Sequence, residues 1–263
     1  MKANDFFKDR VIIISGASSG IGKELSLLFA KFQARLVLAA RRSDKLAELE
    51  SQIQRSGGQA ISIKTDMSHR AEVRKLVNTT LAKWNRIDIF ISNAGQYIQS
   101  PINNSGMIDF QKSFDINFFG SYYAVKEALP HMIEQKSGHF VLINSLDAKK
   151  GIVGDAPYVA AKCALDGLAD VLRQEVKPYG IIVTTVYPGR VDTPMIQDLK
   201  VPWISVKISA ARVANAVARG ILKRKPIIIV PRLFFPLGAL NSTSPRLMDW
   251  FYSKFQLEGK KIL

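Results

Sequence analysis

The sequence predicts an α/β fold built on a doubly wound, mostly parallel sheet, and three observations carry that prediction. Short β-branched runs alternate with helix-period runs along most of the 263 residues. The first strand-like run feeds a glycine turn, "SGASSGIG" at 15–22, which opens into an amphipathic stretch. No linker, repeat or low-complexity tract breaks the alternation over 1–230, so a single domain with one sizeable core is expected there, followed by a C-terminal extension over 231–263.

Each element has its own local reason. "RVIIIS" (10–15) is short, β-branched and bounded by charge, which predicts a buried strand. "KELSLLFAKFQA" (23–34) sets Leu25, Leu28, Phe29 and Phe32 at helical spacing. Further strands are expected at 35–40, 59–64, 87–92, 139–145, 181–188 and 226–231, with helices over 43–55, 69–84, 109–135, 157–177 and 209–223. Such alternation gives parallel strands joined by crossover helices. Sheets of this kind bind ligands beyond the carboxyl ends of the strands, where strand order reverses.

Composition narrows the classes. The N-terminal "MKANDFFKDR" is too charged for a signal peptide, and no apolar run approaches the roughly 20 residues of a membrane-spanning helix. The single cysteine, Cys163, excludes an intrachain disulfide and fits a reducing, cytoplasmic compartment. The formal charge of +15 suits an anionic partner, but the basic residues are spread along the chain and no nucleic-acid-binding motif accompanies them. A generally basic surface is expected, with no nucleic acid and no metal site.

The strand ends carry the chemistry. The first ends in Gly16, Ser18, Ser19, Gly20, Ile21 and Gly22, where glycines permit a tight turn, close backbone approach and close helix packing. Backbone N–H groups and the positive end of the following helix then favour a phosphate. After the second strand, where a carboxylate usually accepts the adenosine ribose hydroxyls, Ala40 is followed by Arg41 and Arg42. A guanidinium pairs bidentately with a 2′-phosphate, so NADP(H) is expected over NAD. Asp66 ends the third strand, placed to meet an adenine amino group or to cap the next helix, while Asn93 and Gly95 end the fourth. Ser145 ends the fifth, and thirteen residues on comes "YVAAK", with Tyr158 and Lys162 one helical turn apart. An ammonium beside a phenol lowers the phenol's pKa, making it a usable proton donor and acceptor.

From residue 8 to about 230 the chain resembles the short-chain dehydrogenase/reductases, with each motif in order: "SGASSGIG", "DM" (Asp66, Met67), "NAG" (93–95), Asn117 in "DINFFG", Ser145, "YVAAK" and "PGRVDT" (188–193). The resemblance implies a Rossmann fold and a tetrad of Asn117, Ser145, Tyr158 and Lys162. Tyr158 would protonate a substrate carbonyl oxygen that Ser145 holds. Lys162 would lower the tyrosine pKa and grip the nicotinamide ribose, and Asn117 would anchor a relay water. Pro188, Gly189, Val191 and Thr193 would line the nicotinamide and pyrophosphate. Implied too are a small carbonyl or alcohol substrate and a homo-oligomer, dimer or tetramer. Two positions depart from the family pattern: Ser92-Asn93 replaces the usual asparagine pair, and Leu146-Asp147 follows Ser145 where small residues are common. These side chains are expected to border the substrate.

"PMIQDLKVPWISVKIS" (194–209) is apolar through Met195, Ile196, Leu199, Val201, Trp203 and Ile204, which suggests either a cover over a lipophilic carbonyl compound or a lid packed on its own domain. The stretch 167–194 is similar to 3-ketodihydrosphingosine reductases and also to steroid and 3-oxoacyl reductases. In the tail, Ser244-Pro245 starts a helix whose apolar face is expected to be Leu247, Trp250 or Phe251, and Phe255. That face would pack on its own core, on a neighbouring subunit, or against a membrane surface on the cytoplasmic side. A regulatory protein that binds NADP without turnover is the alternative from another class, and an intact tetrad argues against it.

Overall fold

Strands and helices alternate as the sequence predicts. The computed structural model describes residues 3–200, 207–255, 257 and 260–261. Its main strands are β1 (Val11–Ser15), β2 (Arg35–Ala40), β3 (Gln59–Lys64), β4 (Ile89–Ser92), β5 (Gly138–Ile143), β6 (Ile181–Pro188) and β7 (Ile227–Val230). They pair in the order β7-β6-β5-β4-β1-β2-β3, all parallel. The order reverses between β1 and β4, which puts the glycine turn and the ends of β4, β5 and β6 around one crevice.

Helices cover both faces, so β1 is buried at all five positions rather than alternating. Ile12, Ile14, Leu36 and Leu38 point to the face shared by α2 (Gly20–Lys31), α3 (Ser43–Arg55) and α8 (Ala210–Leu222). Ile13, Val37, Phe90 and Phe140 point to the other, under α4 (Arg70–Trp84), α6 (Gly120–Glu134) and α7 (Ala156–Glu175). A one-residue alternation along each strand thus feeds two cores.

Several boundaries differ from the sequence expectation. A short α1 (Ala3–Phe7) precedes β1 because Phe7 meets Phe29 edge-on at 4.8 Å and stacks on Phe32 at 5.5 Å, closing one edge of the first core. Ile87 and Asp88 lie outside β4: the Asp88 carboxylate accepts from Val11 N at 2.9 Å and pairs with Arg86, so it terminates the ladder. The single helix expected over 109–135 is instead α5 (Met107–Phe114), a π-helical turn (Asp115–Phe119) and α6.

The segment after β7 folds back on the sheet. α9 (Leu237–Thr243) and α10 (Pro245–Lys254) follow it, and α10 starts at Pro245 as the sequence predicts. Its docked face, however, is Met248 and Tyr252, which pack with Leu237 on Leu146 and Tyr187. Leu247 and Trp250 stay 58% and 55% exposed, and Phe251 is exposed beside Phe255. The predicted apolar face is therefore mostly the outer one. The i, i+4 pair 248/252 meets the core instead, helped by the Lys150–Asp249 ion pair and by Asn241 Nδ2 donating to Lys149 O at 3.2 Å. Downstream, Lys260–Lys261 pairs antiparallel with Leu199–Lys200. No helix among the described residues is long and apolar enough to cross a membrane.

Candidate active site

A cavity of about 410 Å³ lies at the carboxyl ends of β1, β4, β5 and β6. Every residue expected at a cofactor or catalytic position lines it except Gly22. Gly22 sits behind the wall, against the Gly16 carbonyl.

At one end stands the glycine turn. Gly16 takes φ +66°, a left-handed backbone that glycine adopts without strain. Ser15 Oγ, the last group of β1, accepts from Asn93 N at 2.9 Å and Ala94 N at 3.0 Å, and Asn93 Nδ2 donates to Ser15 O at 2.9 Å. Asn93 thereby ties the end of β4 to the turn. Thr193 lies on Gly20: a Cβ there would come within 2.8 Å of the threonine methyl.

The two arginines flank this end differently. Arg42 Nη2 donates to Ser18 Oγ at 2.9 Å and Ser19 Oγ at 2.8 Å, reaching across the turn. Arg41 is 67% exposed and stands 3.9 Å from the Asp66 carboxylate. Asp66 accepts from Ser68 N at 3.0 Å and Ser68 Oγ at 2.7 Å, so it shapes the lead into α4. Burial pushes its pKa up, but those hydrogen bonds and Arg41 outweigh it and hold the carboxyl below its ordinary value.

At the other end, α7 presents Tyr158 and Lys162 one turn apart, both buried, with Ser145 at the head of the loop after β5. Lys162 Nζ donates to Ile143 O at 3.0 Å and lies 5.7 Å from the centre of the Tyr158 ring. Burial pushes the lysine pKa down to about 8. The tyrosine does not follow the expected direction. Burial pushes its pKa up, the Asp147 and Asp155 charges add to that, and hydrogen bonding with Ser145 pulls it back only in part. In the protein alone Lys162 is turned to a backbone carbonyl, and desolvation governs the phenol.

Asn117 sits in the π-helical turn, a device that recurs at functional sites. Its Oδ1 accepts from Gln96 N at 3.1 Å, and its Nδ2 donates to Gln96 O at 2.8 Å and Ser113 Oγ at 3.2 Å. These bonds tie the π-helical turn to the chain at Gln96.

The substrate side holds residues that sequence reasoning passed over. Tyr97 meets Tyr158 edge-on at 5.2 Å between ring centres, and its hydroxyl donates to Asp155 Oδ1 at 2.6 Å. Burial lifts the Asp155 pKa to about 6. Tyr97 and Asp155 have no motif of their own; only the fold brings positions 58 residues apart together. Arg190, inside "PGRVDT", lines the same wall and donates to Leu257 O at 2.5 Å. Met195, Ile196 and Leu199 line the cavity, whereas Val201, Trp203 and Ile204 lie outside the described residues. Among the described residues no group of three His, Cys, Asp or Glu stands together as a metal site.

Comparison with known proteins decides the family: the short chain dehydrogenase profile matches residues 10–201. The chain belongs to the short chain dehydrogenases. An uncharacterized oxidoreductase of Listeria monocytogenes is 38% identical over 194 residues, covering 73% of this chain and 78% of that one. A fatty acyl-CoA reductase of Acinetobacter baylyi is 32% identical over 219 residues, covering 82% and 74% of the two chains. Among solved structures, a short chain dehydrogenase/reductase from Burkholderia phymatum in complex with NAD superposes with TM-score 0.83 at 22% identity, over 92% and 96% of the chains. Levodione reductase gives TM-score 0.80 at 26% identity, over 85% and 96%. This short chain dehydrogenase therefore shares its parallel-sheet fold with those structures.

Proposed function

We propose that this short chain dehydrogenase interconverts a ketone and a secondary alcohol with NADP(H), on a lipophilic substrate such as a 3-keto lipid, a sphingoid ketone or a steroid. The observation that carries the reading is one cavity with a phosphate-type glycine turn at one end and Ser145, Tyr158 and Lys162 at the other. The turn suits a dinucleotide because its glycines leave space that side chains would fill. Gly16, Ser18, Ser19, Gly20 and Ile21 would hold the pyrophosphate, with Gly22 behind them and Thr193 beside. Asp66 and Met67 would flank the adenosine side, Asn93 the turn itself, and Gly95, Pro188, Gly189 and Val191 the nicotinamide end, where Gly95 stands near Asn117 and Lys162. Bound there, the cofactor supplies a hydride to the carbonyl carbon. Tyr158 gives its hydroxyl proton to the carbonyl oxygen, and its raised pKa keeps it a donor across the neutral range. Ser145 holds that oxygen, and Lys162 holds the ribose. Met195, Ile196 and Leu199 supply an apolar wall, in keeping with the acyl chain named for the Acinetobacter relative. Loss of NADPH absorbance with a panel of carbonyl compounds tests this; NADPH binding with no turnover of any of them would favour a regulatory protein.

The 2′-phosphate is assigned to Arg41, with Arg42 beside it. Arg41→Ala is expected to weaken NADPH about tenfold and NADH little, because an exposed charge-assisted contact sits at the low end of its range. Arg42→Ala should weaken both cofactors, since Arg42 also holds the Ser18 and Ser19 hydroxyls. Fluorescence titration with each cofactor measures this. Equal losses for Arg41→Ala would leave that residue as a partner of Asp66 only.

The pH dependence has a defined sign. Lys162 is an ammonium below about 8 and an amine above it. Reduction should therefore fall as pH rises through that value, because the neutral amine holds the ribose less firmly than the ammonium. Initial rates of reduction check this; a reduction rate flat across pH 8 would separate Lys162 from the chemistry.

The outer face of α10 is read as a contact with an anionic membrane surface, supported by exposed Leu247 and Trp250, by Arg246 and Lys254 on the same helix, and by the +15 charge. Liposomes containing anionic lipid should co-sediment the protein at low salt, and Leu247→Ser with Trp250→Ser should abolish this. A dimer in solution without liposome binding would give the face to a second copy.

A further inference from the structure

The helix that carries Tyr158 and Lys162 continues their spacing one turn further, to Asp166, so the three side chains share one face of α7. No step of the reduction uses Asp166, yet its carboxylate is engaged at both oxygens. Oδ2 accepts from Lys149 Nζ at 2.6 Å, and Oδ1 accepts from the Tyr187 hydroxyl. Lys149 and Tyr187 also meet each other, with the ammonium 4.6 Å from the centre of the ring. The three groups close a triangle. Each corner belongs to a different element of the site: Asp166 to α7, Lys149 to the loop that Ser145 begins, and Tyr187 to the end of β6, just before Pro188 and Gly189.

The loop is the part that needs holding. Residues 146–155 join Ser145 to α7, and apart from one 3₁₀ turn (Leu146–Ala148) they form no regular element. Within that turn Ala148 N donates to Ser145 O at 3.2 Å and Lys149 N to Leu146 O at 2.8 Å, so Ser145 and Lys149 move as one piece. Leu146, in the same turn, packs on Tyr187. A carboxylate suits the centre of this arrangement. The Tyr187 phenol is 2% exposed and the Lys149 ammonium is partly buried, so both lose water on folding, and one anionic acceptor between them satisfies both. Burial first, and then the Asp166 carboxylate as acceptor and charge, push the Tyr187 pKa up, which keeps the phenol a donor.

We propose that Asp166 is a positioning residue for the carbonyl reduction, and that it works by fixing Ser145 against Tyr158. This rests on the carbonyl-reducing reading of the cavity. Tyr158 and Ser145 must reach the same carbonyl oxygen, but one stands on a helix and the other at the head of a loop. Through Lys149, a carboxylate two turns beyond Tyr158 sets where that loop lies on the helix. Through Tyr187, it adds the end of β6, whose Pro188 and Gly189 line the same cavity. Asp166 itself takes no part in the transfer; it sets the distance at which the two hydroxyls meet their substrate.

The test compares Asp166→Ala in the wild-type and Ser145→Ala backgrounds, using the full chain, saturating NADPH and a ketone from the panel that the wild type reduces. Single-turnover rates read the chemical step. In the wild-type background Asp166→Ala should slow that step by about 10–100-fold, the scale of a misplaced oxygen-holding group, with NADPH affinity and ketone KM within about twofold of wild type. In the Ser145→Ala background it should cost less than about twofold, because the group it positions is already gone. Lys149→Met keeps the stem and removes the charge; it should reproduce most of the loss and add nothing to Asp166→Ala. Amide hydrogen exchange gives a readout free of turnover: the Ala148 and Lys149 amides should exchange about tenfold faster in Asp166→Ala, with β1 and β4 unchanged. Equal losses in both backgrounds make Asp166 a general support of the fold and overturn the proposal. A raised KM with an unchanged chemical step overturns it too, as does loop exchange that matches the wild type. A wild type that reduces no ketone sinks the functional reading instead, and the exchange rates then decide on their own whether Asp166 holds the Ser145 loop.

Discussion

Tyr158→Phe is expected to lower ketone reduction by at least about 10²–10⁴-fold, the range for loss of a positioned proton donor. NADPH affinity should hardly change, because the ring and its edge-on contact with Tyr97 remain. The substitution removes one hydroxyl and keeps the buried ring, so the variant should fold normally. Single-turnover measurement with saturating NADPH separates the chemical step from binding. Wild-type turnover in this variant would mean that the proton comes from another group, with the Tyr97 hydroxyl the next nearest phenol.

Gly22→Ala is expected to damage both the fold and the cofactor site. A Cβ at this position would stand 2.3 Å from Gly16 O and 2.8 Å from Asn93 Nδ2. Neither neighbour is free to yield. Asn93 is held to Ser15 by hydrogen bonds, and the Gly16 carbonyl belongs to the turn itself. Overpacking of this kind costs about 1–3 kcal/mol, which should lower the melting temperature by several degrees. Because the displaced atoms form the turn assigned to the pyrophosphate, NADPH affinity should fall by more than tenfold on top of the stability loss. Thermal melts with and without NADPH read both effects. A wild-type cofactor affinity would detach the glycine turn from phosphate binding.

The seven strands were legible because each is a short apolar run between charged or glycine punctuation, and both faces of a parallel sheet are buried. The glycine turn, Ser145, Tyr158 and Lys162 were legible because spacing fixes them on one strand end or one helix face. What stayed hidden depends on packing between distant segments. The π-helical turn at Asn117 leaves no trace in a helical period, yet it sets the angle at which that side chain meets Gln96. Tyr97 and Asp155 form a pair only once the loop after β4 crosses the start of α7. The face of α10 was misread because hydrophobicity alone ranks Trp250 and Phe251 above Met248 and Tyr252. Contact with Leu146 and Tyr187 decides the matter. The direction of the Tyr158 pKa was also out of reach, since Lys162 is adjacent in the helix but its nitrogen is committed to Ile143 O.

The brace on the loop after β5 has a consequence for how the molecule is made. Leu146 packs on Leu237 and near Tyr252, Lys149 O accepts from Asn241, and Lys150 pairs with Asp249. All of these partners follow β7 in the chain, so they leave the ribosome after every strand of the sheet. A growing chain can therefore close its sheet and form its glycine turn while the Ser145 loop still lacks its clamp. The nascent protein acquires the two halves of its cavity at different times, the dinucleotide end first and the reacting end last.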